Sequence, residues 1–260
     1  MVKKTKTVRA TRPNAGLQME YQRKLQSLVD DMSTSVNYWL SAEYKKQEPK
    51  IVGDASPAKL MNKKLLSVMA RWRETFNKKA EDIATWFVRR SDAYASNSVK
   101  NKIRAEGMTV NMRITPEVRN VLDSIYETQV NLIKSIPEQY LTQVSTLVQE
   151  SVSRGRDIGY LKEELKRRYG ITERRAKFIA SDQNNKASNE ISRQRLMGSG
   201  IKRGILKHRS GGSKSYRHSH VLADGQEYDL AVGFWDSHLK RHVQPGELPG
   251  CKCDCRPIIE

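Results

Sequence analysis

Apolar residues recur in steps of three and four along most of this chain, and the rhythm breaks only towards the C-terminus. From Leu17 to about Lys46 the stripe is Leu17, Tyr21, Leu25, Leu28, Met32, Val36 and Leu40, one face of a long helix. Glu48-Pro49 ends it, and Val52-Gly53-Asp54 makes a loop. Ser56 as N-cap and Pro57 at the first helical position open a second helix. Its stripe runs Met61, Leu65, Val68, Trp72, Phe76, Ala80, Ile83 and Phe87, with Tyr94 further on. This is the pattern of a core seam. The opposite face carries Lys63, Lys64, Arg71, Arg73, Lys78, Lys79, Arg89 and Arg90.

Around Gly107 the period changes. Val110, Met112 and Ile114 alternate, which predicts one short strand or an extended connector. Thr115-Pro116-Glu117 starts the next helix, with Val118, Leu122, Ile125, Ile133 and Ile136 on its apolar face. Pro137 is expected to kink or end it, and a further stripe runs Tyr140, Val144, Leu147, Val148 and Val152. Asp157 caps a short helix to Tyr169 that Gly170 closes, and Thr172-Glu173 opens another reaching about Met197. Beyond Gly198-Ser199-Gly200 the texture is of short strands and loops: Ile201 to Leu206, Tyr228 to Phe234, and the final Cys-Pro segment. The predicted class is α+β, a long-helical N-terminal part followed by a small α+β C-terminal module. The expected organisation is a basic flexible arm over 1–16, a helical domain over 17–155 and the module over 156–260.

Charge sharpens this picture. Lys and Arg outnumber Asp and Glu 47 to 29, a formal net charge of +18. Such an excess attracts polyanions, and each neutralised phosphate of a nucleic acid releases a counterion. Lys3, Lys4, Lys6, Arg9 and Arg12 meet no acid before Glu20. With Arg71, Arg89 and Arg90 they are the candidate nucleic-acid contacts. No stretch is long and apolar enough to span a bilayer, and the basic start has no hydrophobic segment after it to make a signal peptide.

All three cysteines fall within five positions, Cys251, Cys253 and Cys255, and four of the five histidines lie between Arg217 and Val243. An odd, crowded set is no secreted disulfide framework and points to a reducing cytosol. In an extended segment the three sulfurs share one face, and His218 and His220 are likewise two apart. Thiolate and imidazole are zinc ligands. A CxC pair must curl to converge on one ion, so three states stay open: a structural zinc, reduced free thiols, or a disulfide between two of them. The first-choice ligands are His220, Cys251 and Cys253, with His218, Cys255 or Asp224 as the fourth. Asp182 and Lys186 stand i, i+4 on one helix, and with Gln183 they suit a structural network. Arg217 and the Arg256-Pro257 pair suit buttresses of a loop, and Gly225 suits the positive φ of an Asp-Gly turn.

Four blocks in order carry a family resemblance. They are Leu161 to Arg175 with its Gly-Ile-Thr turn; Ile179-Ala180-Ser181-Asp182-Gln183-Asn184-Asn185-Lys186; Gly200-Ile201 followed by Arg217-x-x-His220 and Gly225; and Pro245-Gly246 through Cys251-Lys252-Cys253 to Pro257. Together, from about Asp157 to Ile259, the chain resembles the phage Mu F-like minor head proteins, or head morphogenesis proteins. The family commonly has Trp where Leu206 stands and an acidic residue in the loop Ser210-Gly211-Gly212-Ser213. Its cysteine pair maps to Cys251 and Cys253, so Cys255 is extra.

The resemblance implies a virion component assembled in the host cytoplasm and residing inside the head near the portal. Its implied partners are the portal protein, other head proteins and double-stranded DNA bound without sequence preference. Two other classes compete: a metal-dependent nuclease or peptidase using the His/Cys cluster, and a non-viral DNA-binding regulator. No HExxH, paired acidic motif or nucleophile–base set supports an enzyme, so the expectation is a protein without catalytic activity.

Overall fold

The computed structural model describes residues 6–46, 57–110, 112–154, 157–210 and 216–259. Four long helices dominate: α1 (Ala15–Lys46), α2 (Pro57–Ala105), α3 (Pro116–Ser153) and α4 (Ile158–Gly198). A short helix α5 (His218–Leu222) and six short strands complete the fold: β1 (Lys6–Thr7), β2 (Arg203–Lys207), β3 (Glu227–Asp229), β4 (Phe234–Asp236), β5 (Arg241–Val243) and β6 (Asp254–Ile259). The class is α+β, as the periodicity predicts.

Helix starts follow the local chemistry. Asn14 Oδ1 accepts the Leu17 N–H at 3.1 Å, Thr115 Oγ1 that of Val118 at 3.3 Å, and Asp157 Oδ1 that of Tyr160 at 2.9 Å. Pro57 is the first residue of α2; Ser56 lies outside the described residues. Helix ends are equally local. After α4 the Gly200 N–H donates to Met197 O and the Ile201 N–H to Leu196 O, a Schellman closure with Gly200 at φ 82°.

Two expected helix ends do not occur. Pro137 lies inside α3, and Gly170 lies inside α4, where Thr172 donates to Arg168 O instead of capping a new helix. Packing overrides propensity at both. Ile133, Ile136, Tyr140 and Leu141 are buried around Pro137, and Leu161, Leu165, Ala176 and Ile179 around Gly170. Burying each large apolar side chain is worth about 1.5–3 kcal/mol, so four of them outweigh the roughly 3 kcal/mol of one helical proline. The Val110–Ile114 stretch is the extended connector rather than a strand among its described residues. Beyond Phe87 the buried seam of α2 runs through Ser91, Ala95, Val99 and Ile103, while Tyr94 is exposed. The small residues that continue the step of four carry almost no hydrophobic signal.

Contacts divide the chain into two compact units, and not at the expected point. One comprises Glu20–Ala84 and Thr128–Ile179; the other comprises the N-terminal residues to Met19, Thr85–Glu127 and Ala180–Glu260. Gly155, the expected boundary, lies outside the described residues, and Thr128–Ile179 on either side of it belongs to one unit. The four long helices each contribute to both.

The first unit is helical. Tyr21 Oη donates to Gln129 Oε1 at 2.9 Å, Tyr140 Oη to Ser33 Oγ at 3.3 Å and Tyr44 Oη to Ser151 Oγ at 2.6 Å. The near-constant offset of these pairs in sequence means that α1 and α3 run parallel in register. Tyr169 of α4 donates to Asp30 of α1 at 2.7 Å, and Arg175 donates to Ser135 Oγ of α3 at 2.9 Å.

The second unit holds all the strands found among the described residues. The main sheet has the order β1-β6-β2-β3, antiparallel throughout, with a separate β4-β5 ribbon. Its core joins Val99 and Ile103 of α2 and Leu196 of α4 to Leu206, Tyr228, Leu230, Phe234, Val243, Cys251 and Cys253. At the centre, Gly204 of β2 leaves room for Cys255: a Cβ there would stand 2.3 Å from the Cys255 sulfur.

From Lys6 onward the arm expected to be flexible is packed against the sheet. Lys6 and Thr7 pair with Ile259 and Ile258, the Val8 N–H donates to Pro257 O at 2.9 Å, and Val8 is buried. Lys102 Nζ holds Ala10 O at 2.6 Å. Two residues of edge pairing leave no periodic signal among cations, which is why the strand is invisible in sequence.

Candidate metal centre and its clamp

Three side chains from distant parts of the chain converge inside the second unit. His220 comes from α5, and Cys251 and Cys253 from the loop before β6. They are 2%, 4% and 1% exposed, and their ligand atoms all lie within 4.8 Å of one another. His220 Nδ1 is 3.5 Å from each sulfur. His208, directly after β2, places its Nδ1 3.5 Å from Cys253 Sγ. The other face of the His220 ring meets Asp236 Oδ2 through Nε2 at 3.1 Å, and Phe234 packs edge-on against the ring at 5.1 Å between centroids.

Asp236 is fully buried and fixed by its own loop: its Oδ1 accepts the N–H groups of His238 at 2.9 Å and Leu239 at 3.1 Å. Burial alone would raise its pKa. Those two N–H bonds, the Ser219 hydroxyl and His220 outweigh burial and hold the carboxyl below its ordinary value. An ionised Asp236 accepts a proton-bearing Nε2, which leaves the Nδ1 lone pair aimed at the sulfurs.

The two thiols act on each other. A hydrogen bond from Cys253 outweighs burial and pulls the Cys251 thiol below its usual pKa, and the resulting thiolate pushes that of Cys253 up. Cys255 stands apart, between Gly204 and Tyr228, and burial raises its pKa to about 11.

Helix α4 imposes the curl that a CxC pair needs. Asp182 Oδ1 accepts the Gly250 N–H at 2.6 Å, the Asn185 side-chain amide donates to Cys251 O, and Asn189 Nδ2 donates to Cys253 O at 3.2 Å. Lys252, between the cysteines, turns away to Ser181 Oγ at 2.6 Å. Gly246 approaches so closely that a Cβ would stand 2.6 Å from Asn189 Nδ2, at a φ of 82°. Positions 181, 182, 185 and 189 lie on one helical face, so a single stretch of α4 grips the backbone of the whole cysteine loop.

The structure sorts the candidate residues by place. His220, Cys251 and Cys253 come together as their residue types suggest. His218 is exposed and lines an open pocket of about 680 Å³. Asp224 is engaged by Lys207 Nζ at 2.7 Å and the His208 N–H at 2.8 Å. Neither His218, Asp224 nor Cys255 joins the cluster; His208, which the sequence pattern does not single out, lies beside it. Asp182 and Lys186 form an ion pair at 3.0 Å, with Gln183 donating to the same carboxylate at 3.1 Å, but Asp182 is buried and holds the cysteine loop as well. Arg217 buttresses the loop through Pro249 O at 2.8 Å, Gly225 has a φ of 84°, and Pro257 pairs with Gly204 across β6 and β2.

Of the candidate nucleic-acid contacts, Lys3 and Lys4 lie outside the described residues. Lys6 pairs with Glu106 at 2.5 Å. Arg9, Arg12, Arg71, Arg89 and Arg90 are exposed.

Residues 142–256 match the family described as phage Mu protein F like protein. An uncharacterized protein of Haemophilus influenzae is 27% identical over 249 residues, 92% of this chain and 53% of the relative. The chain thus spans about half the length of that curated relative. No solved structure matches. The C-terminal part of the chain is therefore similar to the phage Mu F-like family, the resemblance that its motifs carry. The matched segment contains every residue of the cluster and its clamp, from Asp182 through His220 to Cys253. No helix among the described residues is long and apolar enough to cross a membrane.

Proposed function

We propose that this chain is a minor head protein, seated inside the phage head at the portal and lying against the packaged DNA, where it aids head assembly and DNA packaging or ejection. The family match over residues 142–256 carries the reading. The net charge of +18 supports its DNA side, and the exposed Arg9, Arg12, Arg71, Arg89 and Arg90 are the contacts it assigns. The helical unit is the assigned portal contact. The reading includes no catalysis; that His220, Cys251 and Cys253 are each under 5% exposed supports it, since a substrate would have to reach a buried cluster.

Disrupting the gene in the phage or prophage that carries it tests the reading. The expected result is a fall in DNA-filled heads that the intact gene restores; undiminished yields of infectious particles would contradict it. Purified protein should bind double-stranded DNA of any sequence with an affinity that falls steeply with salt. Each phosphate contact contributes about −0.9 to the slope of log affinity against log salt. Replacing Arg71, Arg89 and Arg90 by glutamine should therefore flatten that slope by up to about 2.7. Binding that is tight at high salt and selects one sequence would favour a regulator instead.

A further inference from the structure

We infer that the second unit holds one structural zinc ion, bound by His220 Nδ1, Cys251 Sγ and Cys253 Sγ with His208 Nδ1 as the fourth ligand. The inference stands on geometry and does not require the head-protein reading.

Zinc bonds sulfur at about 2.3 Å and imidazole nitrogen at about 2.0–2.1 Å in a tetrahedron. Two such ligands then lie about 3.6 Å apart. His220 Nδ1 lies 3.5 Å from both sulfurs, and His208 Nδ1 lies 3.5 Å from Cys253 Sγ. Three of the four S···N edges of a Cys₂His₂ tetrahedron are therefore at the right length.

The ring orientation is the second observation. A metal-bound histidine usually gives its other N–H to a carboxylate. His220 does so to Asp236, a fully buried carboxylate locked by two backbone N–H groups. This arrangement directs one imidazole lone pair at two sulfurs. A lone pair accepts one hydrogen, so without a cation one sulfur is left with no bond from the ring.

The third observation is the work that α4 does on the loop. Side chains at 182, 185 and 189 hold the backbone at Gly250, Cys251 and Cys253, and Lys252 is drawn off to Ser181. An extended CxC also points both sulfurs to one side, but about two residue rises apart. This curl brings them within 4.8 Å.

His208 is the fourth donor because its backbone is fixed, by its own N–H bond to Asp224 and by the end of β2, and because it already touches Cys253. Two thiolates and two imidazoles form a donor set that suits zinc, a borderline-soft ion with no redox chemistry of its own. The ion would tie together β2, α5 and the loop leading into β6. Through Asp236 it would hold the β4-β5 ribbon as well.

The 260-residue chain purified without chelator is expected to contain about one zinc per molecule. Folded wild-type protein that neither carries nor takes up zinc overturns the proposal. Cobalt in place of zinc should show sulfur-to-metal charge transfer and the strong visible bands of a tetrahedral ion; weak octahedral bands without charge transfer overturn it. Cys251→Ser and Cys253→Ser should each remove those features, while His218→Ala and Cys255→Ser should retain them. Should the cysteine variants fail to fold, X-ray absorption on the wild-type zinc protein decides. Two sulfurs at about 2.3 Å and two nitrogens at about 2.0–2.1 Å are expected, and a shell without sulfur or with three sulfurs contradicts the assignment. Asp236→Asn should weaken zinc binding about 10–100-fold. His208→Ala should weaken it at least about tenfold; unchanged affinity there would overturn His208 as the fourth ligand.

Discussion

Replacing Arg195 by methionine is expected to lower the stability of the protein by about 3 kcal/mol, the low end of the cost of breaking a buried ion pair. Arg195 of α4 is 4% exposed and donates to three acceptors: Asp92 Oδ1 on α2 at 2.8 Å, Met112 O at 3.2 Å and Arg113 O at 2.7 Å. Methionine fills much of the same volume, so the loss is of charge and hydrogen bonds rather than of packing. It takes the ion-pair partner from Asp92, which retains the Ser96 hydroxyl at 2.8 Å, and a donor from two carbonyls of the connector between α2 and α3. Partial access of water to Asp92, whose side chain is 22% exposed, keeps the cost at that low end. Lysine at 195 should recover only part of it, because an ammonium cannot reproduce the planar fork that serves both the carboxylate and the connector. Denaturant unfolding monitored by circular dichroism measures the change. A methionine variant within about 0.5 kcal/mol of wild type, the ordinary range of surface substitutions, would show that this ion pair is not part of the fold's framework.

Stripping zinc from the 260-residue chain is the second large effect. Where free zinc stands a thousandfold above its dissociation constant, its removal is expected to cost the second unit about 4 kcal/mol. The loss should be local. Amides of β2, α5 and β6 should lose hydrogen-exchange protection, while those of α1 between Tyr21 and Leu40 keep theirs. Chelator should have no further effect on the Cys251→Ser, Cys253→Ser double variant. Melting curves that coincide with and without chelator would remove the clamp from the account.

The sequence displayed the helices far better than their limits. Stripes such as Leu17 to Leu40 and Met61 to Phe87 are long and strongly periodic, and they fell where the spacing put them. Pro137 and Gly170 misled because local propensity is a few kcal/mol at most, and the burial flanking each exceeds it. The packing of the arm was not legible because pairing Lys6 and Thr7 with β6 is a tertiary event with no local pattern. The division into units was hidden for a similar reason: each unit gathers chain segments that are distant in sequence.

The site was partly legible. His220, Cys251 and Cys253 stood out as ligand types crowded into one terminal stretch, and Asp182 as a member of a motif. His208 did not, since it sits apart from the His218-x-His220 pair and resembles any histidine at a strand end. Asp236 and the Asn185 and Asn189 amides were equally silent. Their roles depend on α4 and the β4-β5 ribbon closing over the cysteine loop, which only the folded chain shows.

Cross-linking mass spectrometry on purified, DNA-filled particles tests the head-protein account most directly. Truncation at Gly155 would be uninformative, because it removes Thr85–Glu127 from the unit that holds the sheet. The account predicts that the intact chain is present in few copies and that lysines of its helical unit, such as Lys78, Lys162 and Lys166, link to the portal protein. Particles that contain no trace of the chain, or in which it links only to proteins of the outer shell or tail, would contradict it.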